Sequence, residues 1–388
     1  MRFVRPALPL CLLLLAGCGN RAPEPAETAT LAASAAAQDP LAANDDTQAI
    51  HDAESRLMMQ VQVVLDRLGF TPGVIDGASG LSTRNALAGF QEANGLPVTG
   101  DLDAPTREKL GQWATVPATR VVTIPADFAA GPFVLVPARP ADQARMPALG
   151  YASLEEKVAE RFHTTPAVLR SLNPGGVPAG SAEAAPAEAV AQPPASAQRS
   201  GSAAPVAAAH YYARQQLRVP NIGNDKVDPA TGGDADWQRT LVSLGVGSNQ
   251  PQVERIVVSK SRGVLKGYDA AGKLVAVFTA TMGSSHDPLP LGDWKVNGLA
   301  RNPRFHFNPA LFWDARPGDA KATLPPGPNG PVGVVWIDLS KPHYGIHGTP
   351  RPETIGRAES HGCVRLSNWD AARLALMVKP GTRVHFEQ

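Results

Sequence analysis

The sequence has little of several features that would assign a protein to a class at once. Three cysteines in 388 residues cannot form the disulfide framework of a small secreted domain. With 36 basic and 35 acidic residues the net charge is +1, which excludes a general electrostatic attraction to nucleic acid or anionic membranes. A hydrophobic content of 43% excludes a wholly disordered chain. The length predicts two or three domains.

The N-terminus is typical of an export signal. Two arginines precede the apolar run 7–16, which is shorter than the roughly 20 residues that span a bilayer. The sequence LAGC ending at Cys18 resembles a bacterial lipobox, which implies a signal peptide over 1–17 and a lipid on Cys18. The alternative is an ordinary cleaved signal with an incidental cysteine. Because Cys11 would leave with the signal, Cys363 would be the free thiol of the exported protein.

Residues 55–112 are predicted to form three short helices separated by turns. Val61 and Leu65 begin an amphipathic pattern, and Asp103 before Pro105 predicts the N-cap of the third helix. The leucine-rich helix, the GVIDG turn, the Phe-Gln pair and the GLPVTG turn resemble the peptidoglycan-binding domain 1 family. The resemblance implies a three-helix module that binds the cell wall. A structural bundle without a ligand is the alternative.

Residues 113–175 are predicted to hold a connector and two helices that begin at the N-caps Ser153 and Thr165. The two helices and the Asn-Pro-Gly after them resemble the LysM repeat. An Ala/Pro-rich insertion over 176–209, predicted to be disordered, separates them from a closing strand and linker over 210–251. This departure leaves open a degenerate structural module or a functional glycan binder.

Residues 252–388 are predicted to form a mostly β domain with one helix, which starts at the N-cap Ser367. Within this domain, 300–332 is rich in aromatic residues, proline and glycine, and a loop of this length is usually functional. A substrate-covering lid and a packed Ω-loop are both compatible with it. The lid would contain three large aromatic residues, Phe307, Phe312 and Trp313.

The chemistry-bearing residues are concentrated in 343–365, where a His-Gly-Thr at His347 precedes a Ser-His-Gly-Cys-Val-Arg around Cys363. A thiol is mostly inert at neutral pH unless a neighbour takes its proton. An imidazole, from His347 or His361, can take that proton and later return it to a leaving amine. Gly362 permits a substrate carbonyl to approach and exposes backbone N–H groups for an oxyanion hole. These residues predict a cysteine acyl-transfer site.

Two other interpretations of the same residues have to be weighed. A lone cysteine is often only a small buried hydrophobe. Zinc is the second alternative, but the spacing fits no closed zinc pattern and no His-Glu-x-x-His is present, so no metal is predicted. The candidate ligands would be Cys363, His361, His347 and His343.

The two motifs resemble the catalytic domain of L,D-transpeptidases (YkuD type), and the resemblance covers about 250–388. It implies an enzyme that attacks the bond after meso-diaminopimelate in a peptidoglycan tetrapeptide stem. The enzyme releases D-Ala and passes the acyl group to an amine, with 3-3 crosslinking as the expected outcome. An L,D-carboxypeptidase or a crosslink-cleaving amidase on the same site is the alternative, and a non-catalytic wall-anchoring lipoprotein is a third.

The resemblance also implies roles for individual residues. Cys363 would be the nucleophile and His347 the general base, oriented by the carbonyl of Gly348. His361 and the N–H groups of Gly362 and Cys363 would shape the oxyanion site. Three residues would support the loop or hold the substrate, namely Arg365, Ser360 and Trp313.

The resemblance implies neither a metal nor an organic cofactor. Peptidoglycan is the expected partner, carbapenems are expected inhibitors, and nucleic acid is not expected to bind. A lipid on Cys18 would anchor the protein at the periplasmic face of the envelope. The outer membrane is preferred there because Gly19 replaces the aspartate that retains lipoproteins in the inner membrane.

The predicted fold class is therefore multidomain α+β. The predicted order is signal peptide 1–17, flexible tether 18–54, three-helix peptidoglycan-binding module 55–112, connector and degenerate LysM-like helices 113–175, insertion 176–209, closing strand and linker 210–251, and mostly β catalytic domain 252–388.

Overall fold

A computed structural model of the chain describes residues 50–181, 211–223, 225–230 and 233–388. The predicted signal peptide, Cys18 and most of the predicted tether and insertion lie outside these residues. Among the residues that are described, no helix is both long enough and apolar enough to cross a membrane.

The helices are short and are distributed along the described chain. Their bounds are α1 Leu57–Arg67, α2 Leu81–Ala93, α3 Ala104–Leu110, α4 Pro140–Gln143, α5 Leu154–Arg161, α6 Pro166–Leu172, α7 Ala235–Leu244 and α8 Asn368–Met377.

Most of the strands lie in the second half of the chain. Their bounds are β1 Phe70–Thr71, β2 Thr119–Thr123, β3 Gln216–Pro220, β4 Arg255–Ser259, β5 Val264–Tyr268, β6 Leu274–Thr279, β7 Thr281–Met282, β8 Gly292–Arg301, β9 Phe305–Phe307, β10 Ala322–Leu324, β11 Val335–Leu339, β12 Gly345–His347, β13 Val364–Arg365 and β14 Arg383–Glu387.

One ten-stranded sheet dominates the molecule, in the order β1-β6-β5-β4-β14-β8-β11-β12-β13-β7. The pairs β1/β6, β4/β14 and β12/β13 are parallel, and the other pairs in the sheet are antiparallel. Helix α8 packs on this sheet, with Trp369 and Leu374 fully buried in its core. The sheet and α8 form the mostly β C-terminal domain that the sequence predicts.

The three-helix module comprises α1, α2 and α3. Asp103 caps α3 as predicted, because its carboxylate accepts a hydrogen bond from the Thr106 N–H at 3.0 Å. Two buried glutamines fix the turns between the helices. Gln62 accepts from the N–H groups of Asp76 and Gly77, and Gln91 accepts from those of Thr99 and Gly100. The turns are therefore held by side chains of the helices.

This module is fused to the large sheet, which the sequence did not predict. Strand β1 pairs in parallel with β6, with Phe70 opposite Val277. Gly89 of α2 packs so closely on this sheet that a Cβ there would lie 2.5 Å from Val277 Cγ2. Lys266 pairs with Glu92 across the same contact. The module and the sheet consequently share one apolar cluster, which includes Phe90 and Val277.

The second module has the two predicted helices, α5 and α6, on a two-stranded antiparallel sheet of β2 and β3. Ser153 and Thr165 cap them as predicted. Glu156, in the first turn of α5, has a carboxylate that accepts a hydrogen bond from the Ala152 N–H at 2.6 Å. The first part of the predicted insertion still packs here, since the Ala179 N–H donates to Leu172 and its carbonyl accepts from Arg218.

Helix α7 lies within the segment 210–251, which was predicted to be only closing strand and linker. Asp234 caps it through the Trp237 N–H at 2.9 Å, and Gly245 ends it in a left-handed conformation. Trp237, Leu241 and Leu244 are fully buried in the core of the large sheet. The linker is thus partly a core helix.

A buried polar junction joins the three modules. Asp66, in α1, accepts from both Nη atoms of Arg373, in α8, at 3.3 Å, and it lies 3.3 Å from His163 Nδ1. The His163 ring stacks on Trp369 with centroids 5.1 Å apart, and its Nε2 is 2.9 Å from the Leu244 carbonyl oxygen. Burial acts to raise the pKa of Asp66, but Arg373 and His163 outweigh it and hold that pKa well below its usual range.

Replacing Asp66 with alanine is expected to lower the free energy of unfolding by about 3–5 kcal/mol, because it leaves the Arg373 charge buried without its partner. Urea denaturation would measure this. Since the folded-state pKa of Asp66 is depressed, its contribution is complete at neutral pH and disappears as the pH falls below about 4. Asp101→Ala is a matched control in the same module, because that exposed carboxylate makes no hydrogen bond among the described residues, and its effect should stay within about 0.5 kcal/mol. A loss below about 1 kcal/mol for Asp66→Ala would contradict the role of the junction.

Candidate active site

The parallel pairing of β12 and β13 brings the two sequence motifs side by side. His347 ends β12 opposite Arg365, and Ile346 lies opposite Val364. Cys363, which directly precedes β13, therefore lies beside Gly345, whose backbone N–H acts to lower the pKa of the thiol. Residues 16 positions apart in sequence thus come together at adjacent strands of one sheet.

His347 has a buried side chain, and one of its two ring nitrogens is engaged in a hydrogen bond. Its Nδ1 donates to the Gly348 carbonyl oxygen at 2.7 Å, which leaves Nε2 as the proton acceptor of the neutral ring. The ring stacks on Trp336 with centroids 5.6 Å apart. Burial and the charge of Arg365 lower the pKa of His347 to about 4, although the bond to Gly348 opposes them. His347 is therefore neutral at physiological pH and able to accept a proton.

Cys363 has a half-buried side chain, and its sulfur lies 3.8 Å from the His343 carbonyl oxygen. Burial raises the pKa of the thiol, against the opposing effects of the Gly345 N–H and Arg365. The resting site accordingly contains a neutral thiol and a neutral imidazole. A thiol in this state needs a base during its attack on a carbonyl.

Gly362 has a conformation that only glycine adopts easily. Its φ is +90°, and a Cβ at this position would lie 2.6 Å from the Tyr344 ring. Neither the Gly362 N–H nor the Cys363 N–H donates to another described residue. These two donors are consequently available to a substrate oxygen beside the sulfur, as an oxyanion hole requires.

His361 is occupied at both ring nitrogens. Its Nε2 is 2.8 Å from Asp314 Oδ1, and its Nδ1 is 3.4 Å from Arg365 Nη2. Because Arg365 can only donate, Nδ1 accepts and the ring proton is on Nε2, directed at Asp314. Arg365 also donates to the Glu359 carbonyl at 3.4 Å. His361 is thus held as a positioning group, whereas His347 keeps a free nitrogen.

Ser360 ties the cysteine loop to a neighbouring loop. Its hydroxyl donates to the Cys363 carbonyl at 2.7 Å and accepts from the Gly283 N–H at 2.6 Å. The side chain is fully buried. The position of the sulfur therefore depends on the loop that starts at Gly283.

The segment 300–332 lies beside these residues. Strands β9 and β10 pair to form a separate hairpin, and Phe307 stacks on Phe312 with centroids 5.4 Å apart. Phe312 contacts His361 edge-on at 5.0 Å. Trp313 is 56% exposed and stacks on His286 at 4.5 Å. Of the three aromatic residues predicted for a lid, Phe307 and Phe312 line the active-site cavity. Trp313 is not among the lining residues, and its ring centroid lies 5.6 Å from that of His361, which does line the cavity.

The cavity has a volume of about 670 Å³ and contains Cys363, His347 and Arg365. Its wall includes residues that sequence reasoning did not assign to the site. They are Asp287, Arg304, Trp336 and Tyr344 of the β domain, and Pro140 and Gln143 of α4. The sequence gives no indication that α4 lines this cavity, because its position depends on tertiary contacts with β10.

The candidate zinc ligands Cys363, His361, His347 and His343 all line this cavity. Within the described ranges, however, no three His, Cys, Asp or Glu side chains are arranged as a metal site. The geometry is that of a thiol and a neutral imidazole beside free backbone N–H groups, which is the arrangement of cysteine acyl-transfer enzymes.

Comparison with known families supports this class. The family model for the L,D-transpeptidase catalytic domain matches residues 253–386, and the model for a peptidoglycan-binding domain matches 55–110. A protein of Bacillus licheniformis named as the L,D-transpeptidase YkuD is 30% identical over 46% of this chain and 89% of its own length. The chain belongs to the L,D-transpeptidase family.

Other relatives match in part. An L,D-transpeptidase from the ATP synthase region of Fuscovulum blasticum is 46% identical over 38% of this chain and 73% of its own length. Bacillus subtilis YkuD is 56% identical over 57 residues, which are 15% of this chain and 35% of that protein. A solved L,D-transpeptidase from Mycobacterium smegmatis matches at 20% identity with a TM-score of 0.29, over 35% of this chain and 59% of that chain.

Proposed function

We propose that the protein forms a thioester between Cys363 and a peptidoglycan tetrapeptide stem and then transfers the acyl group to an amine. The donor would be the L,D peptide bond that follows the diaminopimelate residue, and D-Ala would leave. The family, the cavity of about 670 Å³ and the neighbouring wall-binding module support this proposal. The proposal makes 3-3 crosslinking the main reaction.

In the first step, the Cys363 sulfur attacks the carbonyl carbon as His347 Nε2 takes the thiol proton. The carbonyl oxygen becomes an oxyanion held by the N–H groups of Gly362 and Cys363. Collapse of this intermediate breaks the C–N bond, and the proton on His347 passes to the leaving amine of D-Ala. The products are a thioester and a neutral imidazole.

In the second step, a neutral amine attacks the thioester and His347 accepts one of its protons. The C–S bond breaks, and the proton returns to the sulfur as the thiol is restored. If water takes the place of the amine, the same steps give hydrolysis and a free tripeptide. Transferase and carboxypeptidase activities therefore differ only in the acceptor.

The proposal depends mainly on the protonation state and hydrogen bonding of His347. Its Nδ1 is committed to the Gly348 carbonyl at 2.7 Å and its pKa is lowered to about 4, so Nε2 is a free acceptor in the cavity that contains Cys363. His361, in contrast, has partners on both nitrogens.

Muropeptide mass spectrometry of the purified protein with a disaccharide-tetrapeptide tests the proposal. Tetrapeptide–tripeptide dimers are expected, together with one D-Ala for each crosslink. Free tripeptide and D-Ala without dimers would assign the alternative hydrolase. If D-Ala is not released at all, the acyl-enzyme mechanism is wrong for this substrate.

The proposal includes the cell envelope as the site of action. The peptidoglycan-binding module would hold the wall, carbapenems would acylate Cys363, and a lipid on Cys18 would anchor the protein at the periplasmic face. Acyl chains supply about 0.8 kcal/mol of membrane affinity for each buried CH₂. Cys18→Ser is therefore expected to move the protein from the membrane fraction to the soluble fraction of its host. Retention of this variant in the membrane fraction would exclude Cys18 as the anchor.

A further inference from the structure

The active-site cavity contains a carboxylate that the proposed mechanism does not use. Asp287 lines the cavity together with Cys363 and His347. Its side chain is half-buried and makes no hydrogen bond or ion pair with any described residue. Two cations, Arg304 and Arg365, line the same cavity, and neither is paired with Asp287. The carboxylate is therefore available to a ligand.

The position of Asp287 is fixed by its loop. The Asp287 N–H donates to the Ser284 hydroxyl at 2.9 Å, and the Asp287 carbonyl accepts from the Ser284 N–H at 2.9 Å. The loop starts at Gly283, which Ser360 connects to the Cys363 carbonyl. Two serines, Ser284 and Ser360, thus connect the Asp287 loop to the cysteine loop.

The loop also contacts the aromatic segment on its other side. His286, next to Asp287, stacks on Trp313 with ring centroids 4.5 Å apart. Asp287 therefore lies between the cysteine loop and the segment that carries Phe312 and Trp313.

The field of Asp287 reaches the reacting atoms. Its charge contributes to the raised pKa of the Cys363 thiol, after the larger effect of burial, and it acts in the same way on Tyr344. This negative charge disfavours a resting thiolate. It also attracts a cation into the cavity that contains the sulfur.

We propose that Asp287 binds the acceptor, and that this acceptor is a primary ammonium group such as the one on the side chain of a diamino acid. This inference rests on the proposed thioester mechanism and adds the group that selects amine over water. A carboxylate makes a charge-assisted hydrogen bond with an ammonium, whereas a neutral nucleophile gains no comparable attraction. The proposal predicts a bias towards transfer over hydrolysis.

The proton balance assigns Asp287 a second task. The ammonium loses one proton before it becomes a nucleophile, and Asp287 can accept that proton and pass it to solvent. The resulting amine attacks the thioester carbonyl, and His347 takes the second proton. The C–S bond then breaks, and the sulfur recovers this proton from His347. Overall, an ammonium and a thioester give an amide, a thiol and one proton in solution.

The test uses the full chain, a tetrapeptide donor and two acceptors at neutral pH. One acceptor is a diamino-acid peptide with a free ammonium, and the other is hydroxylamine, which is uncharged at this pH. Asp287→Asn should lower the ratio of aminolysis to hydrolysis for the ammonium acceptor by about tenfold, as expected for the loss of a hydrogen bond between charged groups. The ratio for hydroxylamine should change by less than about twofold.

Asp293→Asn is the matched control. It removes an equal charge from the same domain at a residue that is 88% exposed, pairs with His385 and does not line the cavity. Both ratios should remain at the wild-type value in this variant.

The outcomes separate this inference from the proposed function. If the wild type releases no D-Ala, the thioester mechanism fails and with it the basis of the inference. If the wild type releases D-Ala and transfers the acyl group from Cys363 to both acceptors, an equal ratio in Asp287→Asn and wild type overturns the acceptor role alone. An equal loss with ammonium and hydroxylamine also overturns it, because such a loss would reflect a disturbed loop.

Discussion

Replacing Cys363 with alanine is expected to abolish acyl-enzyme formation while leaving the fold intact. The wild-type protein should gain the mass of one carbapenem, and Cys363→Ala should gain none. The half-buried thiol lies in the cavity, beside the Gly345 N–H, so its removal leaves no nucleophile at this position. Intact-protein mass spectrometry after incubation with a carbapenem measures the effect.

Removal of a half-buried sulfur should cost little stability, so circular dichroism and the unfolding midpoint should match those of the wild type. Peptide mapping of the wild-type adduct gives the second control, since the mass should be found on the peptide that contains Cys363. A mass increment that persists on folded Cys363→Ala would reject the nucleophile assignment.

Replacing His347 with alanine is expected to slow carbapenem acylation by about two to four orders of magnitude, as for loss of a general base. The physical reason is the neutral resting thiol. Burial raises the pKa of Cys363, so the thiolate is scarce at neutral pH and the base must take the proton during attack. Stopped-flow or quenched-flow acylation rates measure the effect.

His361→Ala distinguishes the two imidazoles. His361 contacts Asp314 and Arg365 through its two nitrogens, so its loss should disturb the loop without removing the base. His385→Ala provides a neutral control, because that side chain pairs with Asp293 away from the cavity. A mild effect in His347→Ala with a severe one in His361→Ala would transfer the base role to His361.

The pH dependence follows from the same geometry. Burial and Arg365 lower the pKa of His347 to about 4, so the proton-accepting form is present above this value and is lost as the pH falls through it. The wild-type acylation rate should therefore show no loss from His347 protonation between pH 5 and 8. A fall in this rate with a midpoint near pH 6.5, the usual histidine value, would contradict the buried state of His347.

The candidate catalytic motifs could be recognised from sequence because each of them is contiguous. His347 and Cys363 each lie in a short motif, and the parallel pairing of β12 with β13 brings the two motifs together. Asp287 has no such signal, because it enters the cavity through a turn fixed by Ser284 and Ser360. Contacts of this kind depend on tertiary structure and are not recorded in local sequence.

Helix α7, in contrast, does have a recognisable sequence pattern. Trp237, Leu241 and Leu244 have helical spacing between the N-cap Asp234 and the final Gly245. The helix was not predicted because the residues around it are rich in glycine and aspartate, which is typical of a linker. The pairing of β1 with β6, in contrast, could not be predicted, since two residues form the whole strand and their partner is more than 200 positions away in sequence.

The fusion of β1 to β6 has a consequence for how the enzyme meets an extended polymer. A wall-binding module on a flexible hinge would increase local concentration but leave the angle of approach undefined. Here the module shares a strand and an apolar cluster with the catalytic sheet, and Asp66 ties it to α8. A glycan strand held by α1–α3 would therefore present its stems to Cys363 at one distance and in one orientation. The fixed distance between the bound glycan segment and Cys363 would therefore select which stems react, and only stems at that distance along the strand would be processed.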